Sequence, residues 1–201
     1  AEGLLAGVTT YADTCDSGVS LRAMREMGVR GIMYQEVFGP DPAACEQSMA
    51  ELRAKVTALR ERETPLVRVG VSPHAPYTVS DRLYEAVARY AEDEGLSVAV
   101  HIAESEVERR LVEEGKGVFA DGLRKRDIPV HPRARSSVEL LERTGVLGRR
   151  PLMIHCVRVD HGDIASIAGA MTVDLRSQPG NGFRALRRVR AEHLLVHDPA
   201  D

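Results

Sequence analysis

Short runs rich in β-branched residues alternate along this chain with longer segments of helical period, and that alternation constrains the fold more than any other feature. A strand followed by an amphipathic helix, several times over, is the pattern of βα units on a parallel sheet. Residues 7–12 (GVTTYA), 29–37 (VRGIMYQEV), 66–71 (LVRVGV), 96–102 (LSVAVHI) and 151–157 (PLMIHCV) read as strands. Residues 19–27 read as a helix closed by Gly28. Pro42 stands in the first turn of a long helix whose Met49, Leu52, Val56 and Leu59 recur at steps of three and four, giving one apolar stripe. Ser80 is placed to cap a helix carrying Leu83, Val87 and Ala91, which Gly95 ends. Residues 105–114 and 136–144 read as helices with a polar stretch between them, and a further helix starts over residues 163–168. Units of this spacing fit either a (β/α) barrel or an open doubly wound sheet. No strand runs into a glycine-rich phosphate turn, which stands against the open sheet.

Composition narrows the partners. Lys+Arg 27 against Asp+Glu 30 gives a net charge of -3 with both signs interleaved, so nothing favours nucleic acid, and a small molecule is the expected partner. With 43% hydrophobic and 28% charged residues in 201, the chain has the make-up of a globular domain with a substantial core. Cys15, Cys45 and Cys156 form no Cys-x-x-Cys pair, which argues against a disulfide framework and for a reducing, cytoplasmic setting. No apolar run approaches the roughly 18 residues of a membrane span.

Chemistry in parallel α/β folds collects where strands end, so polar residues that close apolar runs are the informative ones. His74 lies between Pro73 and Pro76 just beyond the strand LVRVGV, in a stretch that proline keeps out of regular helix. It suits contact with a substrate hydroxyl or ring nitrogen, although taken alone it reads first as a turn histidine bonded to its own loop. His101 ends the next strand and Glu104 follows it. An imidazole there can ligate a divalent metal while the carboxylate moves a proton for a metal-activated water. Glu104 reads also as a plain acid of a helix's first turn. His155 ends the strand PLMIHCV, so two histidines at corresponding strand ends can converge on one metal; each alone reads as well as a satisfied core histidine. Cys156 alternates to the other side of that strand and packs. Arg133 and Arg135 suit either a substrate carboxylate or phosphate or a solvated loop.

Four segments, residues 72–80 (SPHAPYTVS), 101–108 (HIAESEVE), 136–147 (SSVELLERTGVL) and 154–164 (IHCVRVDHGDI), occur in the order and spacing of the amidohydrolase superfamily. They resemble its adenosine, methylthioadenosine/S-adenosylhomocysteine and aminofutalosine deaminases, with the triazine chlorohydrolases close by. The resemblance covers residues 1–170 and implies a (β/α)8 TIM-type barrel. His101 then matches a metal ligand on the fifth barrel strand and His155 one on the sixth, Glu104 the general acid/base, and His74 the substrate-contacting histidine after the fourth. It implies one divalent metal ion, zinc first, with iron or manganese as alternatives. The family's His-x-His pair and final aspartate are not matched. Residues 1–14 resemble the helix and second strand that follow the His-x-His, so the first strand is expected upstream of Ala1. Residues 171–201 depart from the family as a divergent tail, with a loop at 179–182 and a helix after it; Asp198 closes a short apolar run there without an assigned role.

The expected function is hydrolytic deamination of an aminopurine nucleoside or related aminated heterocycle by the parent enzyme. A chlorohydrolase or amide hydrolase on the same site, or a non-catalytic remnant, are the alternatives. With two matched metal ligands, the isolated chain is expected to be inactive, and the edges of an incomplete barrel leave room for a homo-oligomer.

Overall fold

The structure, a computed structural model, describes residues 2–171. Five parallel strands alternate with helices: α1 (Glu2–Leu5), β1 (Thr10–Cys15), α2 (Val19–Glu26), β2 (Arg30–Val37), a 3-10 turn at Pro42–Ala44, α3 (Cys45–Arg60), β3 (Val67–Pro73), α4 (Asp81–Asp93), β4 (Ala99–Ile102), α5 (Glu106–Glu114), α6 (Val118–Arg124), α7 (Ser137–Arg143), a second 3-10 turn, β5 (Leu152–His155) and α8 (His161–Met171). β1, β2 and β3 form one parallel sheet and β4 and β5 another. A parallel bridge between Val71 and Val98 joins them. The strands therefore follow one another in chain order without the reversal that defines a doubly wound sheet. That sequential order resolves the choice the periodicity leaves open in favour of a barrel-type arrangement.

The core is continuous from α2 to the turn after α7. On α3 the stripe falls where the periodicity puts it: Met49, Leu52 and Val56 are buried and Leu59 packs against their cluster. Each such side chain contributes roughly 1.5–3 kcal/mol by leaving water. β3 is the most enclosed strand and β1 and β5 are largely open. Gly70 shows how tightly β3 approaches β4: a Cβ there would stand 2.6 Å from the Ser97 carbonyl oxygen and 2.6 Å from the Tyr34 ring.

Three local expectations are corrected. The first strand starts at Thr10 rather than residue 7, because the chain leaving α1 is still turning: Gly7 has φ 87, and Val8 N–H donates to the Gly3 carbonyl. Ser80 stands at the start of α4 but its hydroxyl caps nothing and is buried without a partner. The polar stretch after α5 contains α6, whose single buried residue, Ala120, gives too weak an apolar period to read. No described helix is long and apolar enough to cross a membrane. The tail features at residues 179–182 and Asp198 lie outside the described residues.

Candidate functional site

The carboxyl ends of β2 to β5 deliver one polar side chain each: Glu36 near the end of β2, His74 just past β3, His101 in β4 and His155 closing β5. Parallel pairing lines these ends up. The ring centroids of His74 and His101 are 4.9 Å apart and those of His101 and His155 5.6 Å, so the three histidines form a row. Glu104 joins at its far end, its carboxylate 3.5 Å from His155 Nε2. His74, His101, His155 and Glu104 are thus brought together.

Their backbones are held by the loops around them. His74 N–H donates to the Val37 carbonyl, and the His74 carbonyl accepts from His101 N–H at 2.9 Å and from His101 Nδ1 at 3.2 Å. A carbonyl can only accept, so His101 carries a proton on Nδ1, and in the neutral ring the lone pair is on Nε2. The same logic fixes His74. The Thr78 hydroxyl gives its one proton to the Ala75 carbonyl, so it accepts from His74 Nδ1 at 2.7 Å and His74 also presents an Nε2 lone pair. Burial, then the neighbouring His101, lowers the His74 pKa, while the Glu104 carboxylate draws it up.

Glu104 is not a first-turn acid of a helix. Ser105 caps α5 by accepting from Glu108 N–H, and the helix begins at Glu106, so Glu104 stands outside it. Its turn is anchored by Glu108, wholly buried, whose carboxylate accepts from Ala103 N–H at 2.8 Å, Glu104 N–H at 3.0 Å and Ser137 O–H at 2.7 Å. Ala103, with φ 52, His155, with φ 82, and Cys156, with φ 51, hold left-handed backbone that non-glycine residues seldom adopt. Such strain gathers at functional turns. Cys156 packs against the core cluster.

A second buried carboxylate anchors the loop that follows His155 at the same end of the row. Asp163, in the first turn of α8, accepts from Ser136 O–H at 2.6 Å and from Asp160 N–H at 3.2 Å. The neighbouring serines 136 and 137 therefore tie the loops of Glu104 and His155 to one point.

Several contributors escaped the sequence reading. Glu36 satisfies the same criterion as the histidines, a polar residue where an apolar strand ends; its carboxyl pKa is raised chiefly by burial and drawn down by His101. The Tyr77 hydroxyl donates to Glu104 at 3.2 Å, and burial together with that carboxylate pushes its pKa up to about 12. Tyr77 stacks on Phe119 of α6 with centroids 4.3 Å apart, and Phe38 lies 4.9 Å from His74, so aromatic faces flank the row. Arg133 is neither solvated nor open to a substrate anion: it donates to the carbonyls of Pro76 and Val79 and to Asp81, and clamps the His74 loop. Arg135 pairs with Asp160 and Asp163. A separate cleft of about 370 Å³, bordered by Arg22, Val29, Thr64 and Val67, lies at the opposite ends of the strands and touches none of these groups.

Comparison with known proteins agrees with this architecture. The amidohydrolase family model matches residues 2–144. Aminodeoxyfutalosine deaminase of Deinococcus radiodurans is 35% identical over 150 residues, covering 70% of this chain and 36% of that protein. 5-Methylthioadenosine/S-adenosylhomocysteine deaminase 1 of Syntrophus aciditrophicus is 28% identical over 208 residues, covering 98% of this chain and 42% of the relative. The chain thus spans well under half the length of these relatives. Among solved structures, Helicobacter pylori aminofutalosine deaminase in complex with methylthio-coformycin superposes with a TM-score of 0.68 at 17% identity, over 83% of this chain and 40% of that one. A family match across most of the chain, on parallel βα units with histidines at the strand ends, places this protein in the amidohydrolase family.

Proposed function

We propose that this chain carries part of the active site of a metal-dependent hydrolase that removes the amino group of an aminopurine nucleoside or a related aminated heterocycle as ammonia. The observation that supports it most is the convergence of His74, His101, His155 and Glu104 on one row of strand ends, in a family whose matched relatives are named as deaminases of nucleoside-type substrates. The amidohydrolase family is metal-dependent. Ligand atoms of Glu36, His74 and His101 lie within 4.8 Å of one another, and imidazole and carboxylate donors suit a divalent transition ion, zinc first, with iron or manganese as alternatives. In this reading His101 and His155 hold the metal. When bound, such an ion acidifies a water molecule and stabilises negative charge on the reacting centre.

The chain's own residues do the rest. Glu104 takes a proton from the attacking water and delivers it to the departing nitrogen, the task of a general acid/base. Tyr77, kept protonated, orients that carboxylate through its hydroxyl. The free Nε2 lone pair of His74 accepts a hydrogen bond from a substrate hydroxyl or ring N–H. Phe38, Tyr77 and Phe119 offer faces to a planar ring. Residues 2–170 then belong to a (β/α)8 barrel, in a cytoplasmic protein free to self-associate.

The test is ammonia release from adenosine, 5'-deoxyadenosine, methylthioadenosine and aminodeoxyfutalosine. It is measured on the 201-residue chain and on a longer protein that restores the coding sequence on both sides. The chain alone stays at background even with zinc, and the longer protein deaminates at least one substrate in a chelator-sensitive way. A zinc-loaded longer protein that releases ammonia from none of them refutes the reading.

A further inference from the structure

The loop after β3 fixes more than the place of His74. Thr78 is tethered through both of its own backbone groups: its N–H donates to the Ala75 carbonyl at 3.0 Å and its carbonyl accepts from Gly39 N–H at 2.9 Å. Its side chain is β-branched and so stiff at χ1, which holds the hydroxyl where the backbone puts it. That hydroxyl gives its proton to the Ala75 carbonyl at 3.2 Å and turns a lone pair to His74 Nδ1, 2.7 Å away. Neighbouring rings confine the imidazole as well. The centroid of Phe38 lies 4.9 Å from it, that of Tyr77, set edge-on, 5.7 Å, and that of His101 4.9 Å. A ring so enclosed is held against turning over to bring Nε2 to Thr78.

A neutral histidine carries its proton on one nitrogen or the other, and the partner of the first decides the role of the second. With Nδ1 donating to Thr78, Nε2 is an acceptor and needs a partner that brings a hydrogen. A substrate hydroxyl or N–H does so, and a ring nitrogen with only a lone pair does not. The hydroxyl four residues further on thereby selects among the substrate contacts open to His74. We propose that Thr78 is a positioning residue that holds His74 in its Nδ1–H form, so that Nε2 receives hydrogen-bond donors of the substrate and rejects bare ring nitrogens. The proposal rests on the reading of His74 as a substrate contact, but the place of the proton is read without any substrate.

The test is proton–nitrogen correlation NMR of the imidazoles in the metal-free 201-residue chain, recorded well above the ordinary histidine pKa of about 6.5 so that the neutral ring is observed. The His74 signals are identified by their loss in His74→Asn. A protonated ring nitrogen and one with a lone pair resonate far apart, so the spectrum names the form present. The wild type shows mainly Nδ1–H. Thr78→Val, which keeps the shape and removes the acceptor, moves the ratio of the two forms toward Nε2–H by roughly 2–12-fold, the weight of one hydrogen bond. Thr78→Ser, which returns the oxygen, restores the wild-type form, and Thr78→Ala replaces the valine variant if that chain lacks native circular dichroism. The inference is overturned by a wild type with its proton mainly on Nε2, by a ratio that loss of the hydroxyl leaves unchanged, or by a Thr78→Ser chain that behaves as the valine variant does. In the longer, metal-loaded protein Thr78→Val raises KM by a similar factor and changes kcat less; a fall in kcat at unchanged KM overturns the substrate-side role. A longer protein that releases no ammonia refutes the proposed function instead, and the NMR ratio still decides what Thr78 does.

Discussion

Removing the Glu108 carboxylate tests whether the turn carrying Glu104 is built or incidental. In Glu108→Ala the buried Ala103 N–H and Ser137 O–H lose their acceptor together with Glu104 N–H. A buried donor left unmade costs about 1–3 kcal/mol. Two such backbone groups and one hydroxyl would sum higher, but relief of the buried charge's desolvation offsets part of it. The expected loss is therefore about 3–5 kcal/mol, a large share of the roughly 5–15 kcal/mol that holds a domain folded. Glu108→Gln keeps the volume and one acceptor oxygen, yet turns an NH2 toward one of the backbone N–H groups, so it should cost about 1–3 kcal/mol. Urea unfolding of the 201-residue chain, followed by far-ultraviolet circular dichroism, reads both values. A Glu108→Ala chain within about 1 kcal/mol of the wild type would refute the reasoning, since a loss that small falls below the cost of the orphaned donors.

Further outcomes follow from other positions. Gly70→Ala forces a Cβ against the Ser97 carbonyl and should cost about 1–3 kcal/mol of overpacking in the same urea assay. In the longer, metal-loaded protein Glu104→Gln should keep the metal and lower turnover by roughly 10²–10⁴-fold; near-normal turnover would remove Glu104 from the proton path. Tyr77 has its pKa raised from 10.0 to about 12 in the folded chain, so its stabilising contribution is complete below pH 10 and fades as pH rises toward 12. Absorbance titration at alkaline pH, compared between wild type and Tyr77→Phe, should show the missing component as one that ionises late.

The sequence exposed the residues that terminate apolar runs, and His74, His101 and His155 all stand where that rule puts them. His101 and His155 each close an apolar run with a polar group, and His74 follows one within a proline-bounded turn, signals carried by a single residue and its neighbours. Glu36 obeys the same rule and was overlooked because its strand also contains Gln35, which dilutes the contrast. Glu108 and Asp163 were not legible for a different reason. An acid in the first turn of a helix has a sufficient local explanation in the helix dipole, and only the fold reveals that these two are buried beneath the serines where α7 begins. Arg133 misled for the same cause, since its partners at Pro76, Val79 and Asp81 lie more than fifty residues away. The strand order was likewise invisible to periodicity, which repeats identically in a barrel and in an open sheet.

The adjacent hydroxyls of Ser136 and Ser137 have a consequence for how such a chain can change. Because they bond to Asp163 and Glu108 directly, the placement of the loops around Glu104 and His155 is set where α7 begins and does not depend on the route by which the chain arrives there. While Arg133 itself still clamps the His74 loop, the segment between Gly115 and Arg133 is thereby released from holding those two loops. Its length can drift at little cost, since each doubling of a flexible loop adds only about 0.6 kcal/mol of closure entropy. It can also trade Phe119 for another side chain facing Tyr77. Variation in ligand preference among related chains is expected to collect in that stretch, on a segment whose reshaping leaves the two anchoring carboxylates where they are.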